Sequence, residues 1–125
     1  MTVTKLEAGT IADDLSAFER AVLDRIGTDN EEIREALSDL LPGIRVNRRE
    51  LTGVGAYIHF DCETAADELG DRHFGLCGPI SIPNVEYGLT TELACSGGKP
   101  SFLELCTTGS EAWHGNLDGY SFFEG

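Results

Sequence analysis

The chain has 125 residues, 41% of them hydrophobic, which suits one folded domain and excludes an intrinsically disordered chain. Nine basic residues stand against 22 acidic ones, for a formal charge of −13. That balance argues against nucleic acid and against anionic membrane surfaces as partners, and it favours a basic protein.

The opening residues, MTVTKLEAGTIADD, lack a basic stretch followed by an apolar run, which points away from a signal peptide and toward the cytoplasm. Ile11, Leu15, Phe18, Val22 and Ile26 then recur at spacings of three and four, as one stripe of a helix does. Asp13 and Asp14 suit the positive end of its dipole, and Gly27 is its expected stop. A second helix is expected to start at a capping box, either Thr28 with Glu31 or Asp29 with Glu32. Its buried face is Ile33, Ala36, Leu37 and Leu40, and Pro42-Gly43 ends it.

Beyond Gly43 the period becomes two. Ile44 and Val46 alternate with Arg45 and Asn47; Val54, Ala56, Ile58 and Phe60 alternate with Tyr57 and His59. Residues 62–78 are expected to form a long loop with a helical turn near Ala65–Leu69. Pro79–Pro83 reads as an edge strand bounded by prolines. Leu89–Cys95 and Ser101–Cys106 flank SGGKP, a hairpin signal, and residues 117–123 are expected to add a last strand. The fold expected is α+β in one domain, 1–125. An N-terminal helical pair over about 11–41 packs on a mostly antiparallel β-sheet over about 44–123.

The motifs that carry chemistry are sparse. Gly53-Val54-Gly55 lacks both the third glycine of a dinucleotide fingerprint and the Gly-Lys-Ser/Thr of a P-loop. Its glycines lead into a strand pattern, whereas phosphate cradles open onto a helix. Gly53 therefore serves a turn, and Gly55 a bulge or a close backbone approach. Arg45, Arg48 and Arg49 crowd into five positions, where guanidinium groups can hold an anion or pair with the chain's own acids; the surplus of acids favours pairing. His59, Asp61 and Glu63 share a face if their strand continues. Glu104, between Leu103 and Leu105, calls for a partner such as an arginine. Trp113, beside Glu111, either caps the core or anchors a partner. Cys62, Cys77, Cys95 and Cys106 contain no Cys-x-x-Cys pair and read as free thiols; no metal site, cofactor or catalytic set is indicated.

The run Arg49-Glu50-Leu51-Thr52-Gly53-Val54-Gly55, with the later Leu103-Glu104 and Gly109-Ser110-Glu111-Ala112-Trp113, resembles a recurring element of small acidic bacterial proteins of unsettled function. The resemblance covers about residues 44–123 and implies the α+β fold without a catalytic set. Size and charge also invite analogy with immunity proteins of bacterial toxin systems, without a shared residue motif.

Two functions follow as expectations. The first is a non-enzymatic module that binds a protein, immunity- or inhibitor-like, with Trp113 and Glu111 at the contact. The alternative is a small-ligand sensor or enzyme, with a site between the Arg45/Arg48/Arg49 strand and the 62–78 loop, drawing on His59, Glu63 and His73. Pairing of sheet edges into a homodimer is a further option.

Overall fold

The computed structural model describes residues 5–9, 13–109 and 111–124. In chain order the elements are β1 (Asp13–Asp14), α1 (Ala17–Asp29), α2 (Glu31–Leu40), a 3₁₀ turn at Leu41–Gly43, β2 (Arg45–Leu51), β3 (Gly55–Asp61), β4 (His73–Gly75), β5 (Ile80–Ile82), β6 (Val85–Ser96) and β7 (Lys99–Thr107). All strand pairs are antiparallel, in the order β1-β2-β3-β7-β6-β4, with β5 also on β6. The fold is α+β, two helices on a mostly antiparallel sheet.

The alternation read from the sequence fixes which side of the sheet is dry. Val46, Ala56, Ile58, Phe60, Leu93, Leu103 and Leu105 are buried and join Phe18, Val22, Leu23, Ile26, Ile33 and Leu37 of the helices in one apolar cluster. At 1.5 Å per residue, a helix as long as α1 runs about 20 Å. The four spacings from β2 to β4 come to about 19 Å. The two lengths match, and α1 is tied at both ends. Glu19 near its start binds Arg49 of β2, and Asn30 at its end donates from Nδ2 to the Gly75 carbonyl of β4 at 2.8 Å. The helix therefore lies across the strands.

Several boundaries differ from expectation. The first helix starts at Ala17 rather than near 11, because Ser16 and Glu19 form a reciprocal capping box: Glu19 N–H donates to Ser16 Oγ at 3.1 Å and Ser16 N–H donates to Glu19 Oε1 at 2.8 Å. Leu15 is buried outside the helix, Asp13 and Asp14 form β1, and Ile11 lies outside the described residues. Gly27 does not stop α1. It sits in the last turn, facing Arg34 of α2. Thr28 and Asp29 belong to α1, so neither capping box forms; Asn30 alone joins the two helices and makes no side-chain cap. The 62–78 segment holds a hydrogen-bonded turn around Leu69, which is buried, and the short strand β4. Residues 117–123 form no strand: Ser121 bridges Ser81, Leu117 is buried, and Tyr120 packs edge-on against Phe18 with centroids 5.0 Å apart.

The glycine pair behaves as expected. Gly53 turns the chain at φ 90°, and a Cβ on Gly55 would run into the Leu105 carbonyl oxygen of β7. Gly55 thus sets how closely β3 approaches β7.

Candidate functional site

The sheet's two faces are unequal. The helices cover one. On the other, each strand contributes residues that stay exposed or half-exposed. Register brings them into rows. One row runs Glu50, Tyr57, Glu104, Glu92; its neighbour runs Arg48, His59, Phe102, Ala94, His73. Of these, Ala94 is buried, between Phe102 and His73.

Three rings gather at the centre. Tyr57 and Phe102 meet edge to face with centroids 5.7 Å apart, and His59 lies 6.3 Å from Tyr57 and 6.1 Å from Phe102. Carboxylates surround them. Tyr57 Oη donates to Glu104 Oε2 at 2.8 Å; that bond and the charge of Glu104 push the Tyr57 hydroxyl above its ordinary range. Glu50 Oε1 accepts from Arg48 Nη2 at 2.7 Å and lies 2.6 Å from His59 Nε2. Glu92 contacts His73. The partner sought for Glu104 is therefore a tyrosine, where an arginine was the obvious candidate.

The three arginines are neutralised from within. Arg49 holds Glu19 bidentately, Nε to Oε2 at 2.7 Å and Nη2 to Oε1 at 2.8 Å, with Asp13 at 3.5 Å. Glu19 is fully buried. Its hydrogen bonds raise the Arg49 pKa, with burial opposing them. Arg45 pairs with Asp14 at 3.4 Å, and Arg48 with Glu50. A hollow of about 290 Å³ lies beside Arg49, lined by Leu6, Asp13, Leu15, Ser16 and Leu117. Neither His59 nor His73 lines it.

Of the residues expected around a small-ligand site, the fold unites only Arg48 and His59. Arg49 points to the helix side, in line with Ile58. Glu63 is exposed beyond the end of β3, and His73 sits on β4, separated from β2 by three strands. Of the two readings of Trp113, the structure favours the core over the exposed partner anchor: it is 3% exposed, its backbone N–H donates to the Gly53 carbonyl, and Nε1 donates to the Asn116 carbonyl at 2.8 Å. Glu111 is a clamp, both its oxygens accepting from the Glu86 N–H at 3.1 Å. The cysteines are free thiols; burial pushes Cys95 up to about 11, which makes it a poor nucleophile.

Sequence reasoning missed Tyr57, Phe102, Glu50 and Glu92 as a group. The alternation placed Tyr57 with His59 and Phe102 with Glu104, but which residues of β2 and β6 join them depends on registers that shift between Val46 and Arg48 and between Ala94 and Cys95.

Compared with known proteins, the chain matches no family model, no curated protein and no solved structure. No helix among the described residues is long and apolar enough to cross a membrane.

Proposed function

We propose that the protein is a non-enzymatic binding module of the cytoplasm that docks a basic protein on the open face of its sheet, in the manner of an immunity or inhibitor protein. The observation that carries this reading is the half-exposed Tyr57–His59–Phe102 cluster with Glu50, Glu92 and Glu104 around it. Aromatic rings supply contact area at little entropic cost, and they are enriched where interfaces are tight. Surrounding carboxylates, on a chain of charge −13, draw a basic partner and exclude an acidic one.

The test is a photo-crosslinking residue placed at Phe102 in the source cell, with Asp39 on the exposed side of α2 as control. The expected result is a discrete adduct with a basic protein from position 102 alone, weakened by salt. Absence of such an adduct at 102, or equal adducts from both positions, would refute the docking face.

A further inference from the structure

We propose that this open sheet face seats an arginine side chain of the partner, with its guanidinium between Glu92 and Glu104 and against the Phe102 and Tyr57 rings. The inference rests on the docking face proposed above and adds the chemistry of its central contact.

The face contains one pairing that a self-sufficient sheet avoids. Glu92 and Glu104 stand directly opposite each other on β6 and β7. Like charges in that position repel, and sheets ordinarily place opposite charges or apolar pairs there. The chain's own arginines do not relieve the repulsion. Arg48 is engaged by Glu50, Arg45 by Asp14 and Arg49 by Glu19; Arg72 reaches Glu32 and stacks over Phe74, 4.7 Å from its centroid. Glu104 receives a hydrogen bond from a neutral hydroxyl, and Glu92 one contact from His73. Both carboxylates keep acceptor capacity, since an ionised carboxylate offers about four lone-pair sites.

The rings decide between the two cations a protein partner can present. An ammonium is a compact, strongly hydrated point charge, well served by any carboxylate in water. A guanidinium is planar and weakly hydrated. It can lie on an aromatic face while its edge donates to two carboxylates at once. Glu104 is flanked by exactly such a face: Phe102 is two residues along the same strand and Tyr57 is its cross-strand neighbour. The row from Glu50 to Glu92 spans three strand spacings, about 14 Å, longer than one side chain. An extended segment with a central arginine and a second cation toward Glu50 fits that length.

The probes are three capped peptides, Gly-Arg-Gly-Arg-Gly and its counterparts with lysine or citrulline, followed by amide and aromatic NMR shifts of the full chain. The arginine peptide is expected to shift Tyr57, Glu92, Phe102 and Glu104 saturably and to bind at least about threefold more tightly than the lysine peptide, with citrulline inert. Glu104→Gln and, separately, Glu92→Gln are each expected to weaken it about tenfold, as loss of one charge-assisted bond does. Amide shifts on the helices, unchanged in both variants, establish that the fold is retained. Equal binding of arginine and lysine peptides, or arginine binding indifferent to both substitutions, would overturn the arginine seat. In either case a crosslink at Phe102 to a basic protein would still support the docking face, so the two proposals fail separately.

Discussion

The two faces of one sheet are built by different rules. On the helix side the apolar residues gather in one cluster with the helices. The single fully buried carboxylate, Glu19, is held by Arg49 and by the Ser16 N–H. On the open side the rings are half-exposed and two glutamates face each other across strands. Both faces come from the same strands, alternating residue by residue, so the difference owes nothing to backbone regularity. It teaches that one side of the layer is closed around the core while the other, on which docking is proposed, is left open. A residue's side should therefore forecast what its replacement does.

The largest effect is expected where the sheet itself is forced apart. Gly55→Val places a branched side chain against the Leu105 carbonyl oxygen and is expected to destabilise by about 5 kcal/mol or more, measured by denaturant unfolding. A variant of unchanged midpoint would show that β3 and β7 do not approach as closely as described. Next comes Arg49→Ala. It strands a buried carboxylate, and loss of one partner from such a pair costs about 3–5 kcal/mol. A loss below about 1 kcal/mol would place Glu19 in water and erase the contrast between the faces.

A third test uses alkali. The Cys95 thiol titrates near 9 when free and about 11 when folded. Above pH 9 the unfolded chain gives up a proton that the folded chain keeps, so stability falls as pH rises. The contribution is fully present below pH 9 and lost by about 11, at a slope of up to about 1.4 kcal/mol per pH unit. The Tyr57 hydroxyl, also held up, acts in the same direction above pH 10. Cys95→Ala should flatten the limb between pH 9 and 10, where the tyrosine has only begun to titrate. An unaltered limb would assign the alkaline loss to other groups.

The smallest effect is expected on the open face. Glu92→Gln is predicted to leave stability within about 0.5 kcal/mol or to raise it, because it removes a like-charge cross-strand pair. A marked destabilisation would mean that Glu92 supports the fold through His73, making the open face a structural surface after all.

Much of the fold was legible because burial leaves a periodic trace. Ile33, Ala36, Leu37 and Leu40 gave α2 its buried face, and Ala56, Ile58 and Phe60 gave β3 its dry side. The boundaries failed where two local signals competed. Leu15 keeps the spacing of the helical stripe, yet Ser16 and Glu19 cap the helix after it. Thr28 and Asp29 have the spacing of a cap, yet α1 runs through them to the junction at Asn30. Residues 117–123 are apolar enough for a strand but pack Tyr120 and Phe122 against α1 and bridge the sheet at one point. The candidate site was half legible. Sequence shows which residues share a face of a strand, whereas the rows across strands depend on register, and the irregularities near Val46 and Ala94 displace that register.

One feature of the fold bears on how the chain reaches it. The Leu6 N–H donates to the Gly115 carbonyl at 2.7 Å, and Lys5 bridges Asn116, so segments near opposite ends of the sequence are bonded to each other. Closing so long a loop brings a large entropic penalty for few bonds, and it becomes favourable only once the intervening sheet holds the two segments near one another. This clasp is therefore expected to form late in folding and to open early, exchanging its amide hydrogens faster than those of β3 and β7 at the sheet's centre.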